Sequence, residues 1–212
     1  MKYKIKITWL SIFFAFFLTS VFACVSSGFQ VDSIAASVDN TPITLNDLYF
    51  LYNFNMVNNL KYVKINETLP EAELKRLSNI YINRIIILKQ QEKAGGVTIN
   101  SRIINSRTLK ITAQNFKKKF ASLHKHISFS VFLSKFGFDK NDFYNFLKKL
   151  VIEKKFIKYR LQFFLFTIEN GRGASKRQKQ KYAAELTEKL KNMIINLRTH
   201  AKIKINDNFT GS

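Results

Sequence analysis

The chain has 212 residues, room for one helical domain or for one domain with an extension. Its 35 Lys and Arg against 14 Asp and Glu give a formal charge of +21, which predicts attraction to an acidic partner: nucleic acid, anionic lipid or polypeptide. The only cysteine, Cys24, excludes an intramolecular disulfide and a cysteine-based zinc site, and two Pro with seven Gly point to long helices and few loops.

Met1 to Ala23 read as an export signal. Lys2, Lys4 and Lys6 make the basic start, Ile7 to Ser20 the apolar core, and Val21 and Ala23 supply the small residues that a cleavage site needs. The rival is an uncleaved membrane anchor, against which the shortness of the apolar run argues. Cys24 directly follows the expected cut and is the lipidation candidate, although Phe22 is atypical of a lipobox. The alternative is a chance cysteine beside an ordinary cut site. Either way the mature chain is expected to be exported.

Ser33 to Asp47 compress strand, turn, strand and helix start into one stretch. Ile34, Ala36 and Val38 share a face at period two. Asp39-Asn40 is a turn pair, since both residues tolerate left-handed dihedrals. Thr41 to Ile43 contains Pro42, which lacks a ladder donor and suits an edge strand. Thr44 then caps a helix, with Asp47 placed to complete a capping box. So small a hairpin needs a third strand. The alternating segment Ala201 to Asn206 is the candidate, so the two ends of the mature chain are expected to meet.

The periodicity predicts a first helix over Leu45 to Val63, with Leu45, Leu48, Tyr49, Tyr52, Met56 and Leu60 on one stripe and the Asn residues facing elsewhere. Pro70 suits the first turn of a second helix, Glu71 to Ala94, which is apolar nearly all round between Ile80 and Leu88 and should lie at the centre of a bundle. Gly95-Gly96 stops it. A third helix, capped by Asn100, runs from Ser101 to about Phe120 with a basic outer face. Ser122 to Phe129 is a connector. A short helix over Val131 to Phe136 stops at Gly137. Asp139, with Asp142 at the third position, caps a long helix whose stripe is Phe143, Leu147, Leu150, Ile157, Leu161 and Phe164. It reaches Phe166 or Ile168 before the linker Glu169 to Ser175. The last helix, Lys176 to Thr199, sets Tyr182, Leu186, Leu190, Met193, Ile194 and Leu197 on one side.

Little of this looks catalytic. The rings of His124 and His126 would point the same way only on a strand, and the pair reads as part of a solvated loop rather than a metal site. Asp139, Asp142 and Glu153 could be imagined as an acid/base set, but the first two are better explained as helix starts. Gly95-Gly96 and Gly171-Arg-Gly173 lack phosphate-loop spacing. The chain is expected to be no enzyme and to use no cofactor or metal. Lysines recur along helix surfaces at 117–119, 148–149, 154–155 and 176–181, interleaved with Phe and Tyr. Nucleic acid could use that mixture, but the export signal argues against it. A solubilising face remains, or peripheral membrane association, stronger if Cys24 is acylated.

Three segments together resemble the SurA N-terminal family of periplasmic chaperones. Ile34 to Asp47 is similar to the family's opening hairpin and helix-starting Thr-x-x-Asp. Leu77 to Ile99, with Leu88, Gln91 and Ala94-Gly-Gly-Val-Thr-Ile99, resembles its second helix and glycine stop. Phe132 to Phe143, continued through Lys158-Tyr-Arg-Leu161, looks like its hydrophobic pair, glycine and long basic helix. The likeness covers residues 33 to 168, with the terminal helix and strand in addition. One departure stands out: where SurA carries parvulin isomerase domains, residues 169–175 are far too few for a domain. His126-Ile127-Ser128 is a decoy without the rest of the parvulin signature.

The resemblance implies a mainly α-helical chaperone domain over 24–168, completed by 176–212 through a small β-sheet that joins the N-terminal hairpin to the C-terminal strand. It implies a holdase for unfolded envelope proteins, outer-membrane precursors among them, without isomerase activity. Surplus aromatics would supply client contacts, with Phe143, Phe163, Phe164 and Phe166 as candidates. Two alternatives stay open: a lipid-anchored envelope protein using the same fold for a fixed partner, and a degenerate prolyl isomerase.

Overall fold

The computed structural model describes residues 32–62, 64–65, 67–93, 106–162 and 176–206. In chain order these form β1 (Ile34–Val38), β2 (Thr41–Thr44), α1 (Leu45–Asn58), α2 (Glu71–Lys93), α3 (Ser106–Leu123), α4 (Phe129–Ser134), α5 (Lys140–Arg160), α6 (Lys176–Thr199) and β3 (Ile203–Ile205). The fold is mainly α, with one small antiparallel sheet ordered β2-β1-β3. These elements belong to one compact unit.

The hairpin forms as its chemistry dictates. Asp39 and Asn40 both take positive φ, 46° and 69°, the backbone of a two-residue turn that matches strand twist. Pro42 faces Ser37 from the outer strand of the sheet, where its missing N–H leaves no ladder bond unmade. One expectation is corrected here. The β1–β2 register shifts between Ile34 and Ala36, a bulge that turns both Ala35 and Ala36 inward and leaves Ile34 54% exposed. Only Ala36 and Val38 of the expected face reach the core. β3 lies antiparallel on the other side of β1, pairing Ala36 with Ile205, Ser37 with Lys204 and Val38 with Ile203. The hairpin and the alternating segment near residue 204 therefore meet.

α1 starts at a complete capping box, in which Thr44 Oγ1 accepts the Asp47 amide at 3.2 Å and the Asp47 carboxylate accepts the Thr44 amide at 3.0 Å. It ends at Asn58, five residues before the expected Val63. Leu60 swings to φ 56°, and the Lys61 amide donates to the Met56 carbonyl while the Leu60 amide donates to Val57. This is a Schellman closure built on leucine rather than glycine. The expected stripe is also corrected: Leu60 is exposed, and the deepest residues are Leu48, Phe50, Leu51, Phe54 and Val57. Asn53 is buried among them, its amide donating to the Tyr49 carbonyl at 2.8 Å.

α2 is the central element, packed on β1 and β2 and flanked by α1, α5 and α6. Its first turn is closed by the Pro70 carbonyl, which accepts the Leu74 amide at 3.0 Å. α4 begins two residues earlier than expected because Ser128 caps it, accepting the Val131 amide at 3.3 Å. Gly137, at φ 70°, follows it, with the Phe138 amide on the Leu133 carbonyl. α5 opens on a second capping box, Asp139 with Asp142. α6 has the expected bounds. All six residues of its expected apolar row are half-buried, and its end is clamped to α2 by Arg198, which donates to Asn83 at 2.7 Å and to Asn79 at 3.1 Å.

Candidate polypeptide-binding surface

Among the described residues the phenylalanines go largely into the interior. Phe50 is the hub: it stacks on Phe138 at 4.3 Å, meets Phe146 edge-on at 5.0 Å and lies within 6.5 Å of Phe132, Phe136 and Phe143. Phe54, Phe116, Phe120 and Phe129 extend the same cluster. Phe143 is a correction to the sequence reading. It is 0% exposed, packed against Phe129 at 5.0 Å and Phe116 at 5.4 Å, so its ring builds the core and offers nothing to a client. Its place in the α5 stripe made it inward-facing from the start. Phe163, Phe164, Phe166 and Cys24 lie outside the described residues, as do the export signal, Gly95-Gly96, Asn100 and the linker.

Among the described residues several polar groups of the interior have structural partners, while Asn53 Oδ1, Ser78 Oγ, Arg84 Nη1 and His124 Nε2 are buried without a hydrogen bond. Arg84 Nε donates to Glu153 at 2.8 Å, and its guanidinium lies over the rings of Tyr81 and Phe146. That pairing accounts for Glu153. The Tyr81 hydroxyl donates to Asp47 at 3.3 Å; burial, and secondarily the Asp47 charge, raises its pKa out of the physiological range. Asp139 is held below the ordinary carboxylate range chiefly by the Asp142 amide. The histidine reading is corrected too. His124 is only 5% exposed, stacked on Phe120 at 4.8 Å and covered by Tyr62 at 5.0 Å, and burial lowers its pKa; His126 is exposed. Among the described residues no three of His, Cys, Asp or Glu stand close enough to hold a metal ion.

The surface is therefore read from the closure of the sheet. Asp39 accepts the Lys202 amide at 2.7 Å and donates its own amide to the Lys202 carbonyl at 2.9 Å. Lys89 of α2 reaches the same turn, donating to the Val38 carbonyl at 2.9 Å. The Lys202 amide, with Lys89 as a further attraction, keeps Asp39 below its usual pKa. Beside this seam a cavity of about 320 Å³ opens between α2 and α6, its lining including Ile86, Leu197, Lys89, Lys93 and His200. Asp39, Gln90 and Asn196 also line it, so its wall is mainly polar and carries both signs of charge.

Of the surface lysines, Lys117 lies 5.2 Å over the Phe129 ring, Lys119 donates to the Asn58 carbonyl at 2.8 Å, and Lys118, Lys149, Lys154, Lys202 and Lys204 are exposed. Exposed large apolar residues include Val131, Tyr159, Ile195 and Ile205. Sequence reasoning missed the burial of His124 and the Arg84–Glu153 pair, because each joins segments far apart in the chain. It also missed Ile205 as a surface group, although its position in the last, outermost strand was a usable signal. Among the described residues no helix is long and apolar enough to cross a membrane. No protein-family model matches the chain, and no curated protein does.

Proposed function

We propose that this chain is an exported, SurA-like holdase that binds unfolded envelope proteins, outer-membrane precursors among them, and performs no prolyl isomerisation. The observation that carries the reading is the closure of β3 onto the hairpin: β3 lies on β1, with α2 beneath them and α6 returning across α2. That arrangement builds one helical body from the two parts that a parvulin domain separates in SurA itself. Around the seam the body offers half-buried Leu197 and exposed Ile205, set among Lys89, Lys93, Lys202 and Lys204. Weak, plural contacts of this kind suit a protein that must release its client without ATP. The basic rim speeds encounter with acidic segments. Export through Met1 to Ala23, with Cys24 as a lipidation candidate, belongs to the same proposal.

The test is suppression of aggregation of an unfolded porin-like protein. Near-stoichiometric suppression is expected. Selective capture of one folded envelope protein, with no suppression, would favour the lipid-anchored interaction protein instead. Protein-dependent acceleration of prolyl isomerisation in a peptide would revive the enzyme reading.

A further inference from the structure

The two outer edges of the sheet differ. On β2, Pro42 removes a donor, which blunts that edge. On β3 the antiparallel register decides which backbone groups are used. The Lys202 carbonyl bonds the Asp39 amide and the Asn206 amide bonds the Ala35 carbonyl, so Lys202, Lys204 and Asn206 are the positions that turn their backbone toward β1. Ile203 and Ile205, the alternate positions, turn their N–H and C=O groups away from the sheet. Their side chains lie on the inner face with Val38 and Ala36. Ile203 packs on the core, whereas Ile205 projects past it and is 41% exposed. Lys202 and Lys204 are exposed on the opposite face.

We infer that the outward edge of β3 takes up an extended client segment as a fourth strand, one that alternates apolar and acidic residues. The occupant follows from three features. The outward groups of Ile203 and Ile205 give the main-chain bonds of strand addition. A client's apolar side chains, set on the inner face, cover Ile205. Its acidic side chains, on the outer face, meet Lys202 and Lys204, and opposite charges across strands are favourable where like charges are not. The same rule disfavours a second copy of the chain paired antiparallel about Ile203 or Lys204, which sets lysine against lysine; pairing about Ile205, which does not, would show as protection that rises with protein concentration alone. This inference rests on the polypeptide-binding reading and names the class of segment bound.

The experiment uses the full chain and, as probe, a blocked Val-Glu repeat peptide of about eight residues, with a Val-Lys repeat as control. Amide hydrogen exchange is followed at Ile203, Lys204 and Ile205. The Val-Glu peptide is expected to slow exchange at Ile203 and Ile205, leaving the already bonded Lys204 unchanged, and the Val-Lys peptide is expected to do neither. Ile205→Pro removes one outward donor and none that β1 uses, and should weaken peptide binding about tenfold. Ile205→Ala, which keeps the donor, should weaken it less. Lys204→Glu, a surface change, should reverse the preference between the two peptides. Unprotected Ile203 and Ile205 amides at saturating peptide, or unaltered binding by Ile205→Pro, overturns the inference, as does protection that rises with protein concentration alone. If the wild type suppresses client aggregation while those amides stay unprotected, the edge assignment fails and the holdase reading stands. Protected amides without suppression reject the holdase reading and leave the edge a strand-binding site.

Discussion

Asp39 and Lys202 are 163 residues apart in sequence and joined by two hydrogen bonds, the Lys202 amide to the Asp39 carboxylate at 2.7 Å and the Asp39 amide to the Lys202 carbonyl at 2.9 Å. One turn residue thus caps the hairpin and fastens the C-terminal strand. Its carboxyl is held below the ordinary range, first by the Lys202 amide and then by Lys89. A carboxylate with a depressed folded pKa stabilises the fold above its unfolded value, about 3.9, and that stability is lost as pH falls through the lower folded value. Asp39→Ala should therefore lower the urea midpoint at neutral pH more than Asp39→Asn, because alanine also tolerates φ 46° poorly. The gap between wild type and Asp39→Asn should close in acid, and a pH series of urea melts reads both.

Leu60 occupies a left-handed position that glycine fills without strain. Leu60→Gly is expected to raise stability by about 0.5–1 kcal/mol, since the relieved strain exceeds the added freedom of the unfolded chain. Equilibrium denaturation of the two proteins is the check, and an unstable variant would count against the Schellman closure of α1.

The Arg84–Glu153 pair is largely buried, with side-chain exposures of 8% and 18%, and lies against two aromatic rings. Removing one partner strands the other's charge. Glu153→Leu should cost about 3 kcal/mol, whereas the double variant Arg84→Met with Glu153→Leu should recover most of that loss. A double-mutant cycle in urea measures the coupling, and additive costs would reject it.

His124 has its pKa lowered by burial between Phe120 and Tyr62. A histidine of this kind takes up a proton more readily unfolded than folded. The stability of its neutral form is complete above the ordinary value, about 6.5, and is lost as pH falls from there toward the folded value. Part of the acid sensitivity that sets in as pH falls below about 6.5 should therefore disappear in His124→Phe, which keeps the ring stack without the titrating group. Identical pH profiles would remove His124 from that window.

Phe143 belongs to the core cluster. Phe143→Leu is expected to lower stability by about 1–2 kcal/mol. Client capture per folded molecule should stay unchanged. A selective loss of capture in a variant of undiminished stability would return this ring to the binding surface.

How far the chain could be read depends on how far each signal reaches. The Asp39-Asn40 turn, the boxes at Thr44–Asp47 and Asp139–Asp142, and the row on α6 were all legible, because their hydrogen bonds or periodicities close within a few residues. Gly137 marked the end of α4 region by region, whereas the same closure at Leu60 went unread, since leucine carries no left-handed signature. Phe143 was placed on the right stripe of α5 but assigned to the wrong side of the surface. Aromatic content says that contacts exist, and only packing says between which partners.

By itself, the amino-acid order determined a mainly helical chain whose alternating tail returns to its opening hairpin, because turn chemistry, caps and hydrophobic period are properties of neighbouring residues. The tertiary structure alone decided that Phe143 and His124 are interior, that Arg84 answers Glu153, and that Ile203 and Ile205 turn their backbone groups outward. Each of those depends on which surfaces meet across long separations, and on a register that flips every group with a shift of one residue.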